Sequence, residues 1–249
     1  MPGERLYCTT EFGIPNSVAQ TMLQTLPNAP SLIDQTYRQV LEAIADGTLA
    51  PAQRIRQGEL ADRLGVSRQP VSHALHLLKR QGLVEESGRQ GLRVVPLDPG
   101  RILQLYQVRE AVDGLAAGLA AERVGVRGVD GAEVAALQAL VAEGIAFDAG
   151  TPTPRLVRAD TEFHRALYRL SGNSAIEEMT APLWPHLMRA MAAILPTPGY
   201  AAQVWREHAA ILRHVASGDA AGAREAACAH ARSASALTAE RLPVAEQAA

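Results

Sequence analysis

Asp160 and His164 stand four residues apart in the stretch 154–171, and Phe163 and Leu167 lie on the same stripe. Residues at i and i+4 share one face of a helix, so this polar pair belongs to the buried face. His208 falls on the apolar stripe of Ile211, Leu212 and Val215, and His230 on the small-residue stripe of Ala223, Ala226, Ala227 and Leu237. Three imidazoles and one carboxylate therefore face the interior of a helical assembly from three different helices. Such a set suits a divalent transition ion, Zn or Ni ahead of Mn, Fe or Co, and four protein ligands leave room for water or a bidentate guest. An unpaired buried aspartate is costly, so Asp160 needs a partner, and a cation is one. Taken singly, each histidine reads as a satisfied core residue and the Asp160/His164 pair as a salt bridge. The pattern alone does not bring the three helices together. His76 and His186 have no partner pattern, and His214 lies on another face from His208.

A second constellation lies nearer the N-terminus, in Glu59-Leu-Ala-Asp-Arg-Leu-Gly-Val-Ser-Arg-Gln-Pro-Val-Ser-His-Ala-Leu75. Leu60, Leu64, Val66, Val71, Ala74 and Leu75 form an apolar seam between two short helices. Ala61 is small where they cross, and Gly65 allows the turn between them. Ser67 is placed to cap the second helix, which leaves Arg68, Gln69, Ser72 and His73 on its exposed N-terminal part. In a helix-turn-helix that end enters the major groove, where Arg pairs with guanine, Gln with adenine, and Ser or His with bases or phosphates. Leu83-Val84-Glu85 and Leu92-Arg93-Val94-Val95 alternate like a hairpin around Ser87-Gly88-Arg89-Gln90-Gly91, which makes a wing carrying Arg89, Gln90 and Gly91 at its tip. The plainer alternative is a small helical subdomain that merely packs, with Arg68 on a solvated face.

The elements that must position these groups are mostly helical. The chain has 249 residues, of which 47% are hydrophobic, 20% charged and only 4% aromatic. That is enough apolar content for a core, and its Ala, Leu and Val bias suits helices over β-sandwiches. Residues 1–30 show no periodicity and read as a flexible arm. A helix runs from Ser31 to a stop at Gly47, two more cover about 57–65 and 67–81, and Asp98-Pro99 restarts helix formation. Six helices are expected near 98–124, 130–149, 154–171, 174–195 (kinked at Pro182 and Pro185), 199–217 and 219–241, which together make a bundle. The expected organisation is an arm at 1–30, a winged helix-turn-helix at 31–97, a helical domain at 98–242 and a tail at 243–249. Formal net charge is −2, so a protein-wide basic field is excluded. The segment 31–97 carries 9 Arg/Lys against 7 Asp/Glu, and 98–249 carries 14 against 17, so any nucleic-acid contact is local. No apolar run approaches the roughly 18 residues that span a bilayer. The start lacks a signal pattern, and Cys8 and Cys228 make no disulfide framework, so a cytoplasmic setting is expected.

The stretch Leu49-Ala-Pro51, Glu59-Leu-Ala, Leu64-Gly-Val-Ser-Arg-Gln-Pro-Val-Ser-His-Ala-Leu75, Gly82-Leu-Val and Gly91-Leu-Arg-Val resembles the GntR superfamily of bacterial transcription regulators. The family's usual run is Gly-Val-Ser-Arg-Thr-Pro-Val-Arg-Glu-Ala-Leu. Here Gln69 replaces Thr, Ser72 replaces an Arg that often contacts DNA, and His73 replaces Glu. Gly58 lies where some members carry another such Arg. Losing these cations weakens phosphate attraction, and the operator is expected to differ from the common one. Farther on, Val108-Arg109-Glu110 with Leu115-Ala-Ala-Gly-Leu-Ala-Ala, Asp160-Thr-Glu-Phe163-His164-Arg-Ala-Leu, Ser171-Gly-Asn, Glu207-His208-Ala-Ala-Ile211 and Gly218-Asp219 resemble the FCD ligand-binding domain of the FadR-like branch. Together the two likenesses cover about residues 31–240. Many members of that branch hold a divalent metal through an Asp and three His, which the resemblance carries to Asp160, His164, His208 and His230. Where the family has a Glu four residues after its Arg, this chain has Asp113.

By the same resemblance such regulators sense small organic acids, with Arg109 as the effector-binding candidate and Arg189 as a second. A guanidinium in a bundle interior needs an anion, which here is either a bound carboxylate or the side chain of Asp113 or Glu110. The expected protein is a homodimeric, metabolite-responsive regulator, a repressor by preference, with two winged heads on the half-sites of a pseudo-palindromic operator. Two rivals stand beside it: a metalloenzyme, and a constitutive DNA-binding protein whose bundle only dimerises around a structural metal. Against the enzyme, no general base accompanies the ligand set, as Glu162 lies near the opposite face.

Overall fold

Val40 and Ile44 form the buried stripe of the first helix, α1 (Leu32–Ala45), at the i, i+4 spacing that an amphipathic helix requires. The structure is a computed structural model that describes residues 31–88, 91–127 and 131–242. The 1–30 arm with Cys8, wing residues Arg89 and Gln90, and the 243–249 tail lie outside the described residues. Helix α1 stops where Gly47 takes φ +84° and Asp46 Oδ1 accepts hydrogen bonds from the Thr48 N–H (3.0 Å) and hydroxyl (2.7 Å).

Helices α2 (Gln57–Leu64) and α3 (Arg68–Arg80) form the expected helix-turn-helix, with Gly65 left-handed at φ 65° between them. Ser67 does hold the N-cap position of α3, with φ −71° and ψ 168°, but its side chain caps nothing. The third residue of α3 is Pro70, which has no N–H for a capping hydroxyl to accept. Strands β2 (Val84–Glu86) and β3 (Leu92–Val94) form the wing in antiparallel register, pairing Val84 with Val94 and Glu85 with Arg93. The Arg93 Nε donates to Glu85 Oε1 at 2.7 Å across that pair. A further strand, β1 (Arg54–Ile55), pairs with the other edge of β3 and gives the order β1-β3-β2. Sequence reading does not find it, because two residues are too few to establish a period.

The remaining helices are α4 (Pro99–Arg127), α5 (Gly131–Ile145), α6 (Thr153–Ser171), α7 (Ser174–Thr180), α8 (Trp184–Ile194), α9 (Tyr200–Ala216) and α10 (Ala220–Arg241). Asp98 Oδ1 accepts from the Arg101 N–H at the start of α4, and Asp219 caps α10 in the same way. The helix expected over 174–195 is two helices rather than one kinked helix. Pro182 removes a ladder donor between them, while Pro185 sits in the first turn of α8, where the missing N–H is harmless.

Long α4 and α10 pack closely, with Gly114 and Gly118 of α4 facing Cys228 and Arg224 of α10, and both helices bury alanines, among them Ala116, Ala117, Ala120, Ala223, Ala227 and Ala231. One apolar cluster gathers Tyr106, Trp184, Met191, Ile194 and Tyr200, and the other gathers Phe163, Leu167, Trp205, Ile211 and Val215. The head packs directly on the bundle. Ala45 of α1 belongs to the first of these clusters, and Arg158 of α6 pairs with Asp46 at 3.2 Å. From Leu32 onward the contacts define a single unit.

Trp205 lies flat against α5 only because residue 144 is glycine: a Cβ there would sit 1.9 Å from the indole. Gly144→Ala is therefore expected to destabilise the bundle by about 1–3 kcal/mol, the usual cost of overpacking, as measured by urea denaturation. An unchanged midpoint would place Trp205 elsewhere.

Candidate metal centre and nucleic-acid interface

Helix α6 turns Asp160 and His164 inward one turn apart, α9 supplies His208 and α10 supplies His230. One ligand atom from each of the four lies within 4.8 Å of the others, and all four side chains are buried. His208 Nε2 stands 3.3 Å from His230 Nε2 and 3.5 Å from Asp160 Oδ1, and His164 Nε2 is 3.8 Å from Asp160 Oδ2. The convergence that the pattern left open is therefore present.

The rings are braced unequally, and among them only His230 is hydrogen-bonded through Nδ1. His230 Nδ1 lies 2.8 Å from Glu207 Oε2. A carboxylate only accepts, so the ring proton is on Nδ1 and the Nε2 lone pair faces the cluster. Gln203 and Ser233 in turn donate to Glu207 Oε1. His164 Nδ1 lies 3.3 Å from Asp113 Oδ2, short of a well-aligned hydrogen bond. The His208 ring stacks on Phe163 with centroids 3.9 Å apart.

Of the partners expected for Arg109, Asp113 is the one it meets. Its Nε donates to Asp113 Oδ2 at 3.1 Å, while Nη2 lies 2.5 Å from His164 Nε2 and 3.9 Å from Asp160 Oδ2. Tyr106 and Trp184 cover the guanidinium, each ring centroid 5.6 Å from Cζ. Tyr168 donates to the other oxygen of Asp113. Glu110, the alternative partner for Arg109, pairs instead with Arg232 at 2.7 Å.

Burial and neighbouring charge act together on these groups. Burial pushes the imidazoles of His164 and His208 down, the latter well below its ordinary value, so both stay neutral and able to donate a lone pair. Burial alone would raise the Asp113 carboxyl, but the His164 ring and the Arg109 guanidinium hold it below the usual carboxylate range. Burial likewise works against the charge on Arg109, and Asp113, Tyr106 and Asp160 more than offset it. Asp113 and Asp160 lie beside the one buried guanidinium and Glu207 stands behind His230, which leaves two formal negative charges around converging lone pairs. A divalent cation fits that donor set in both charge and chemistry. The free space beside it is small, about 10 Å³, lined by Arg109, Asp160, Met191, Leu195, Tyr200 and His230.

Arg189, the second effector candidate, is not part of this cluster. Its Nη2 donates to the Val95 carbonyl at the seam between head and bundle. Residues that sequence reading did not assign to the site are Glu207 and Tyr168. Tyr168 follows His164 by four residues and so was detectable on the same helical face. Glu207 reaches His230 across a helix pair whose register no local pattern states.

On the head, Ser67, Arg68, Gln69, Ser72 and His73 of the α3 region are all exposed, as is Gly91 on the wing, while Val71, Ala74, Leu75 and Leu78 bury the opposite face. The Arg68 guanidinium lies over Gly58, with Nη2 3.3 Å from where a Cβ would stand. Among the described residues no helix is long and apolar enough to cross a membrane.

Comparison with known proteins agrees with this geometry. The family described as FCD domain matches residues 104–233, and that described as bacterial regulatory proteins, gntR family, matches residues 32–94. An HTH-type transcriptional regulator from an unstable DNA locus of Streptomyces ambofaciens is 32% identical over 79% of this chain and 80% of its own. The HTH-type transcriptional regulator YdhC of Bacillus subtilis (strain 168) is 29% identical over 58% of this chain, and the match spans 63% of that protein. Among solved structures, E. coli McbR/YncC superposes with a TM-score of 0.74 at 20% identity, covering 85% of this chain and 99% of its own, a likeness of fold. The metalloenzyme alternative gives way to these findings. With a reading head at 32–94 and an FCD bundle around a buried Asp/His cluster, the chain belongs to the GntR family of bacterial transcriptional regulators, in its FCD-domain branch.

Proposed function

We propose that this protein is a homodimeric repressor, working in the cytoplasm, whose hold on operator DNA is released by a small organic acid bound beside a divalent metal, Zn or Ni ahead of Mn, Fe or Co. The convergence of Asp160, His164, His208 and His230, with the Arg109 guanidinium against its edge, carries this proposal. The four side chains would hold the ion, and the ion would supply positive charge for one carboxylate oxygen of the acid. Arg109 is suited to a second oxygen, because Asp113 already orients its fork and fixes its charge. On the DNA side, exposed Arg68 and Gln69 suit guanine and adenine edges, with Ser67, Ser72, His73 and the wing tip Arg89, Gln90 and Gly91 on bases or backbone. Two such heads on a two-fold dimer require an operator of inverted half-sites. Exposed Val108 and Leu115, seven residues apart on α4, give a second copy an apolar stripe to cover.

The 10 Å³ beside the ligands is near the lower limit for a single water, about 10–15 Å³. An organic acid must therefore move the wall formed by Met191 and Leu195 at the C-terminal end of α8 and by Tyr200. Helix α8 packs on α1 through Met188 and Ala45 and holds Val95 through Arg189, so a shift at the site reaches the head. Each 1.4 kcal/mol by which the acid prefers one arrangement alters DNA affinity about tenfold. The same tightness favours a second reading, a structural ion in a regulator that no acid controls.

Three measurements test this. Metal analysis should find one ion per chain in the wild type and none in His208→Ala or Asp160→Ala; equal content in all three would remove the site. Glu207→Gln should keep the fold and lower metal affinity about 10–100-fold, because the buttress of His230 is weakened. In salt-controlled gel shifts, an organic acid that raises the melting temperature of the wild type should release operator DNA, and His208→Ala should lose both effects. An acid that binds and leaves operator affinity unchanged supports the structural-ion reading instead.

A further inference from the structure

Arg189 points to a second anion site, separate from the Asp/His cluster: we infer that the seam between the DNA-reading head and the bundle binds a small oxyanion, a carboxylate or inorganic phosphate, on this guanidinium. Arg189 is only 4% exposed and, among the described residues, has no carboxylate partner. Its Nη2 donates to the Val95 carbonyl, and its buried Nε finds no acceptor. Guanidinium groups in protein interiors are normally matched by anions, because an unmatched one loses its hydration without compensation. With burial unopposed by any neighbouring anion, the group is pushed down to about 10. Arg109, equally buried but facing Asp113 and Asp160, is raised instead. The contrast within one bundle marks Arg189 as the cation whose counter-charge is missing among the described residues.

The surroundings suit an anion. Arg189 lines a cavity of about 320 Å³ to which both domains contribute, Gly47, Thr48 and Pro51 from the head and Thr153, Pro154 and Ala192 from the bundle. Helix α6 starts at this cavity, with Pro152 at its N-cap offering no side-chain acceptor. The Arg155 and Leu156 N–H groups turn back on the Pro152 carbonyl, and Pro154 has no N–H, which leaves that of Thr153 at the positive end of a 19-residue helix. Thr153 adds a hydroxyl donor, while that of Thr48 is committed to Asp46 Oδ1. The cavity's one carboxylate, Asp46, is already neutralised by Arg158 at 3.2 Å and accepts from Thr48. An anion here touches head and bundle at once, so its binding sets how firmly the two are held together, independently of the metal centre.

The test uses full-length, metal-loaded protein titrated calorimetrically with inorganic phosphate and, separately, with succinate at constant ionic strength. One of the two should bind saturably, and which one distinguishes a phosphate from a carboxylate ligand. Binding should persist in His208→Ala and in chelator-treated wild type. It should weaken about tenfold or more in Arg189→Gln, since a charge-assisted fork is lost. If Arg189→Gln does not fold, Arg189→Lys and Thr153→Val should each weaken the same binding, because lysine lacks the bidentate fork and valine the hydroxyl. No saturable binding of either probe overturns the inference, as does binding that is lost in His208→Ala and kept when Arg189 or Thr153 is altered. Neither outcome bears on whether the Asp/His cluster holds a metal.

Discussion

Charge taken out of water must be matched, and at the centre of this bundle that constraint governs everything nearby. Arg109, Asp113 and Asp160 are each nearly inaccessible, and isolated buried ions of this kind cost several kcal/mol apiece. Asp113 answers Arg109 from one helical turn away, Tyr168 fills the remaining oxygen of Asp113, and aromatic rings close over the guanidinium. What that matching leaves over is a carboxylate and three ring nitrogens facing one another. Lone pairs so arranged repel unless a proton or a cation lies among them, and this donor set is of the kind that suits a divalent ion.

The same helices that build this centre also hold the DNA-reading head. On α6, Asp160 faces inward while Arg158, two residues earlier, reaches out to Asp46 of the head. On α8, Met191 approaches Arg109 with its sulfur 4.0 Å from Nη1, and Arg189, two residues earlier, grips the Val95 carbonyl. Two residues along a helix rotate the side chain by about half a turn, so each helix serves two neighbours by its geometry alone. Close-packed interiors deform in steps rather than continuously, so a displacement of either helix is felt at both of its contacts.

The head carries fewer cations than its relatives' usual pattern supplies. Ser72 and His73 stand where that pattern has Arg and Glu, and Gly58 stands where some members have Arg. The absence of a side chain at Gly58 is what gives the Arg68 guanidinium room to lie across α2. Fewer cations on the head mean weaker phosphate attraction, and under the proposed function base-edge contacts from Arg68 and Gln69 would carry a larger share of recognition.

Composition and periodicity determined that the chain is helical, that a turn at Gly65 separates two short helices, and which face of each later helix is buried, because these depend on spacing within a single element. Asp160, His164, His208 and His230 were legible for the same reason: a polar group on an apolar stripe stands out wherever it falls. Local pattern did not reach the two-residue strand β1, the break between α7 and α8, or the failure of Ser67 to cap a helix whose third residue is proline. It also could not separate Arg109 from Arg189, since both are arginines on buried faces. Only the packing of one helix against another decided that the first meets Asp113 and the histidines and the second a bare carbonyl at the domain seam. Register between elements distant in the chain is set by how whole faces interlock, and no stretch of sequence contains that information by itself.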